Sequence, residues 1–260
     1  MNSIYVVLMV IIIILCALYF FGKFKNKPNK EINDVIAYYN SESTIQDMKD
    51  ESFFNKDLWH TTLKFNLNNK QVNDNEFLIN ISKLNENMKI VDWGCGLGQF
   101  MRLIRDKYKC IMTGVNISEK QLEIAKNKFE NENEEVTFLL HKNIKKKLNI
   151  PNNSIDRVVS QEAIVHHPDK LKLFKDIYRI LKPSGIFSFQ DWFLTDDELA
   201  KRTDKKYKSF LEPIENYIEY LEKAGFVNIE IFEPIDTMVI KRNKIMGFNV
   251  KIIYAEKPMF

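Results

Sequence analysis

Cysteine is scarce in this 260-residue chain: Cys16, Cys95 and Cys110 form no Cys-x-x-Cys and no metal-ligand spacing. So sparse and odd a set excludes a disulfide scaffold and fits a reducing compartment. Charge of one sign is also in short supply. The formal net charge is +3, too small to imply a nucleic-acid partner, and no basic stripe interleaved with aromatics is present. No segment repeats, and the length suits one domain with appendages. Glycine is limited to eight residues, so a cluster of them carries information. Neither Gly-x-Gly-x-x-Gly nor a phosphate loop with Lys-Ser/Thr occurs, which removes the usual dinucleotide and nucleoside-triphosphate fingerprints.

What the chain does have begins at its N-terminus. Ile4 to Phe21 is an uninterrupted apolar run. As a helix it would reach about 27 Å, close to a bilayer core of roughly 30 Å. No Lys or Arg precedes it, and Leu18-Tyr19-Phe20-Phe21 is a poor cleavage sequence, so a transmembrane anchor is expected over a signal peptide. Lys23, Lys25, Lys27 and Lys30 follow. By the positive-inside rule they place the remainder in the cytosol, as a single-pass membrane protein, and they favour anionic lipid. Residues 22–33 read as a basic tether and 34–260 as the main domain with a helical N-terminal cap.

Within that domain, strand signals at Met88–Val91, Cys110–Val115, Val136–Leu140, Ile155–Ser160, Ile186–Phe189, Val227–Phe232 and Val250–Ala255 alternate with helical patterns. The segment Asp34–Asn75 reads as irregularly helical: Phe53, Phe54, Leu58 and Trp59 fit one apolar stripe and read mostly as core packing, while His60 with Trp59 and Tyr39 would line the cap side of a pocket. Alternation of this kind predicts an α/β fold: a Rossmann-like, seven-stranded, mostly parallel sheet with helices on both faces. The last two strands have no long helix between them and are expected to pair antiparallel. Ser118-Glu119-Lys120-Gln121 reads as a capping box, Ser118 accepting from the Gln121 N–H while Gln121 reaches back. In an open α/β sheet, ligands bind at the carboxyl ends of the strands. That selects Asp92, Gly94, Cys95, Gly96 and Gly98, then Asn116-Ile117, the residues after Leu140, and Gln161 to His167.

The stretch Lys89–Phe100, with Asp92 before glycines at alternate positions 94, 96 and 98, resembles motif I of the class I S-adenosylmethionine (SAM) methyltransferases. Ser160 to Asp169 is similar to the segment after the fourth strand in the family's sterol, tocopherol and sarcosine/dimethylglycine branch, where Glu162, His166 and Pro168 fill the acidic, His and Pro places. Arg179-Ile180-Leu181-Lys182-Pro183-Ser184-Gly185 resembles the Arg-x-Leu-Lys-Pro-Gly-Gly turn. Gly114-Val115-Asn116-Ile117-Ser118-x-x-Gln121 resembles a stretch of the cyclopropane-synthase and sterol groups, and Tyr39-Asn40 sits where those groups carry Tyr-Asp near the cofactor.

The resemblance implies SAM as cofactor. Gly94 and Gly96 would approach its amino-acid moiety and Asp92 its ammonium. Asn116 would meet the ribose, an amide where the family has a carboxylate and so a weaker partner. Asn143 would meet the adenine edge, in place of an absent acid. Tyr39, Ile117, Gln121 and Gln161 join the expected cofactor shell. Of the catalytic candidates, His166 is the base, since His titrates near neutral pH. Glu162 would orient a substrate cation or the lid. The expected activity is methyl transfer to a small-molecule or lipid-like acceptor, with no metal and no nucleic acid. The alternative is a catalytically silent scaffold that keeps the fold.

Overall fold

The computed structural model describes residues 32–49, 63–131, 135–235 and 247–260. The apolar run 4–21, the tether as far as residue 31, and the aromatics Phe53 to His60 lie outside the described residues. Among the described residues no helix is long and apolar enough to cross a membrane.

Seven strands form one sheet: β3 (Lys89–Trp93), β4 (Ile111–Asn116), β5 (Val136–Leu140), β6 (Ile155–Gln161), β7 (Leu181–Leu194), β8 (Val227–Phe232) and β9 (Phe248–Glu256). Their spatial order is β5-β4-β3-β6-β7-β9-β8. The first five run parallel, while β9 is antiparallel to both β7 and β8. The order reverses between β3 and β6, the place where such sheets open a crevice for ligands.

Alternate residues along the strands serve two cores. Ile90, Met112, Val159 and Ile252 face one layer, with Phe100, Met101 and Ile104 of α4 (Gln99–Tyr108) packed on them. Val91, Val158, Phe187 and Ile253 face the other. There Leu173, Phe174 and Ile177 of α6 (Lys170–Ile180) and Tyr217 and Leu221 of α8 (Ile214–Ala224) bury their apolar stripes. The three- and four-residue spacing of those side chains puts them on one helix face.

Three elements differ from the sequence expectation. Within Asp34–Asn75, helices 32–39 (α1) and α2 (Glu42–Lys49) are present. Residues 64–73, however, form a hairpin, β1 (Lys64–Leu67) and β2 (Lys70–Asn73). Asn68 and Asn69 both adopt positive φ, 50° and 65°, the signature of a two-residue turn matching strand twist. Phe65 and Val72 are its buried side. The next helix, α3, spans Asp74–Ile81. Finally, α7 (Asp197–Tyr207) stands where no helix was expected; Asp196 caps it, accepting from the Glu198 and Leu199 N–H groups at 3.0 Å. Its apolar content is too low for a periodic signal.

One buried cation braces the site side of the fold. Lys170 has a fully buried side chain and an ammonium 3.0 Å from Glu212 Oε1. It also donates to the Phe210 and His167 carbonyls, at 2.7 and 3.3 Å. Lys170→Met strands all three acceptors, so a loss of about 3 kcal/mol of stability is expected in urea unfolding; a midpoint equal to wild type would show that the network contributes nothing.

Candidate active site

At the end of β3 the chain must turn sharply to enter α4. Gly94 and Cys95 both donate to the Val115 carbonyl, at 2.8 and 3.1 Å, tying the turn to β4. Gly94 (φ 80°) lies against Ala163: a Cβ built on it would fall 2.1 Å from the Ala163 Cβ. Gly98 (φ 82°) is the N-cap of α4, a left-handed position that glycine takes without strain. Asp92 is buried beneath this loop. Its Oδ2 is buried with no hydrogen-bond partner among the described residues, and burial pushes its carboxyl up to about 7.

The loop floors a cavity of about 590 Å³, a size suited to a cofactor with a small substrate. α1 and α2 cover it. The C-terminal end of α1 docks on the head of α5 (Glu119–Lys128). There Ser118 Oγ and Gln121 Nε2 each donate to the Tyr39 carbonyl at 3.1 Å. The predicted cap is therefore half met: Ser118 accepts from the Gln121 N–H at 3.2 Å, but the Gln121 side chain serves Tyr39 and Asn116 instead of reaching back.

On the far side, the Tyr39 hydroxyl lies 2.7 Å from His166 Nε2. His166 Nδ1 is 3.2 Å from the Lys208 carbonyl. A carbonyl only accepts, so Nδ1 carries the proton and Nε2 accepts from Tyr39. Burial pushes His166 down to about 4 and raises Tyr39 well above its ordinary value, so both are neutral near pH 7. Glu162 holds a left-handed φ of 49°. A non-glycine residue there stores strain of the order of 1 kcal/mol. Gln190 Nε2 donates to Glu162 and to Asp74, both at 3.2 Å. Behind them, burial pushes the Asp191 carboxyl up, and that group accepts from Val165 and Trp192 N–H, each at 2.8 Å.

Of the residues selected from sequence, Tyr39, Gly94, Gly96, Asn116, Ile117, Gln121, Gln161, Glu162 and His166 line this one cavity. Asp92 and Gly98 support it from below. Cys95 turns its side chain into the core, and burial raises its thiol well above its ordinary value. Asn143 is misplaced by the sequence reading. It is exposed, outside the cavity wall, and its Oδ1 accepts from Lys145 N–H at 3.1 Å. His141 takes the position instead, because its N–H continues the β4–β5 ladder onto the Asn116 carbonyl at 2.8 Å.

Asn116 also differs from expectation. Its Oδ1 accepts from Ile117 and Ser118 N–H, at 2.7 and 3.2 Å. Its Nδ2 donates to Gln121 Oε1 and the Gly96 carbonyl, at 2.9 and 3.3 Å. Four bonds saturate an amide, so Asn116 pins the glycine loop to α5 and has no polar group to spare.

Residues 91–189 match the family model of a methyltransferase domain. The phosphoethanolamine N-methyltransferase of Plasmodium falciparum is 31% identical over 184 residues, 68% of this chain and 66% of that one. The chain belongs to the SAM-dependent methyltransferases. The sterol 24-C-methyltransferase of Aspergillus fumigatus is 35% identical over 113 residues, 44% of this chain. The match spans only 30% of that sterol enzyme's length. Among solved structures, the geranyl diphosphate C-methyltransferase of Streptomyces coelicolor, in complex with Mg2+, geranyl diphosphate and S-adenosyl-L-homocysteine, superposes with a TM-score of 0.69. It covers 87% of this chain and 97% of that one at 14% identity, which speaks for the fold.

The methyltransferase cavity also has walls that the sequence did not mark. Trp192 and Tyr207 line it with their rings 5.7 Å apart, and Lys206, Asp47 and Met48 complete the wall that α7 and α2 provide. His167, the last residue of the stretch selected after β6, lines it as well. The 3-10 turn Ile164–His166 is not regular strand or helix, and it lets both rings reach the wall.

Proposed function

We propose that this protein transfers a methyl group from SAM to a small-molecule acceptor, at a membrane held by residues 4–21 with the domain on the cytosolic side. The observation that carries it is the cavity floored by Gly94 and Gly96 and lined by the hydrogen-bonded Tyr39–His166 pair. SAM fits the groups present. Bare glycine backbone gives close approach for its amino-acid part, and the unpaired Asp92 oxygen suits an ammonium nearby. His141, Ile144 and Ile117 would flank the adenosine end. When bound, the cofactor supplies an electrophilic sulfonium methyl. The chain's own residues align the acceptor, exclude water and take its proton.

For that proton the geometry supports a relay. The acceptor's proton passes to Tyr39 Oη as the Tyr39 hydroxyl proton passes to His166 Nε2. The relatives named above act on an amine-bearing phosphobase and on a sterol, and the aromatic wall of Trp192 and Tyr207 suits either an ammonium or an apolar body. The test is calorimetry of the full chain with SAM, followed by labelled methyl transfer to a lipid extract and to phosphobases. No heat and no thermal shift at millimolar SAM would sink the reading.

The titration of Asp92 gives a second check. Without cofactor its carboxyl is half protonated near pH 7. A neighbouring ammonium favours the ionised form, so SAM affinity should be highest above pH 7. It should then fall up to about tenfold per unit as the pH drops towards 5. Affinity that is flat over that window removes Asp92 as the ammonium partner.

A further inference from the structure

Helix α7 carries charges that the methyltransferase reaction does not use. Lys201, Arg202, Lys205 and Lys206 are exposed on it, at i, i+4 pairs 201/205 and 202/206, so they share one broad face. Thr203 is buried and Tyr207 half-buried on the opposite side. Lys208, the C-cap, extends the basic face. Carboxylates lie at the helix's first turn, Asp197 and Glu198, away from that end. Asp204 turns inward, accepting from Ser209 Oγ at 2.6 Å and Leu211 N–H at 3.2 Å. Among the described residues none of these five cations is in an ion pair; Lys206 rests on the Tyr207 ring at 4.7 Å. A face of unpaired cations is complementary to an anionic surface.

Its position adds direction. Lys206 and Tyr207 line the cavity, and so does Ile32, the first described residue of α1. The apolar run ends at Phe21, so the tether to Ile32 reaches at most about 40 Å when fully extended. The start of the described domain and the end of α7 therefore meet at one cavity, and the lysines of the tether precede Ile32 in the chain.

We infer that α7 docks on an anionic lipid bilayer and turns the cavity mouth to that surface. The inference uses the membrane reading of residues 4–21 for proximity, and the charge of α7 independently of it. Lipid contact at α7 would bear on the reaction as well, because the Lys208 carbonyl at its end fixes the His166 ring.

The experiment is energy transfer from the chain's tryptophans, two of which, Trp93 and Trp192, line the cavity, to a dansyl lipid. The full chain is reconstituted in phosphatidylcholine vesicles with and without about 30% phosphatidylserine. Transfer should be about twofold higher with phosphatidylserine and return to the phosphatidylcholine level at about 0.5 M salt, where screening is within roughly 4 Å. The triple variant Lys201→Gln, Arg202→Gln, Lys205→Gln should lose the phosphatidylserine response while keeping its thermal midpoint. Equal transfer in both vesicle types, or an unchanged response in the triple variant, overturns the inference.

Should the chain fail to enter phosphatidylcholine vesicles, the anchor reading falls and the α7 inference is judged by sedimentation with phosphatidylserine vesicles. Pelleting of wild type, weakened on the order of 100-fold in the triple variant, supports it; no pelleting overturns it. Tighter binding of poly-uridylate than of phosphatidylserine vesicles assigns the face to nucleic acid and also overturns it.

Discussion

Gly94→Ala is expected to abolish SAM binding and to lower stability by about 3 kcal/mol. Two effects add at this position. The backbone is at φ 80°, where an L side chain is strained, and the new methyl would sit 2.1 Å from the Ala163 Cβ. Neither neighbour can yield cheaply. Ala163 has no flexible end to move, and its segment is held by Glu162 N–H on the Gln190 carbonyl at 2.8 Å and by Val165 N–H on Asp191. The loop must instead withdraw from β4, breaking the Gly94 and Cys95 bonds to the Val115 carbonyl and lifting the cavity floor. Calorimetry with SAM and urea unfolding of the same preparation would report both losses. A variant that binds SAM within threefold of wild type would mean that the cofactor does not rest on this loop.

His166→Ala should lower turnover by about 10²- to 10⁴-fold and leave SAM affinity nearly unchanged. In the proposed reading the residue serves the acceptor, while the glycine loop and the head of α5 serve the cofactor. Because burial pushes His166 down to about 4, its base form is fully present from about pH 5 upward. The wild-type rate at saturating SAM should therefore show no acid limb near pH 6.5. Such a limb would mean that the ring titrates as an exposed histidine and is not the buried acceptor described above. Tyr39→Phe removes the hydroxyl of the relay but keeps the backbone bonds to Ser118 and Gln121. It should reproduce most of the rate loss, and the double variant should be little worse than either single one, as residues acting in one unit are not additive. Additive losses would separate the two residues and remove the relay.

The strands were legible because buried strands read as apolar runs of limited length, and all seven stand where those runs lie. α7 was not, since Leu199 and Tyr207 are too few to set a period; its Asp196 cap and basic last turn were the signals available. The hairpin at Lys64–Asn73 was hidden because each strand has four residues and little apolar content. Asn143 was chosen by residue type, but side-chain direction after a strand depends on register. The ladder places His141 on the cavity and leaves Asn143 to cap its own turn.

The sequence by itself determined the fold class and the glycine turn after β3, because each depends on local patterns of apolar residues and turn residues, and its motifs carried the resemblance to the methyltransferases that the comparisons bear out. Only the tertiary structure decided which polar groups are spent and which are available. Asn116 closes four bonds within its own neighbourhood, whereas Asp92 keeps an oxygen unpaired. Tyr39 and His166 are 127 positions apart in the chain, and nothing local relates them. They meet because the cap helix docks on α5 from one side while Lys170 and the Lys208 carbonyl hold the histidine segment from the other. Hydrogen-bond saturation is a property of the packed neighbourhood, so it enters only when the chain has closed on itself.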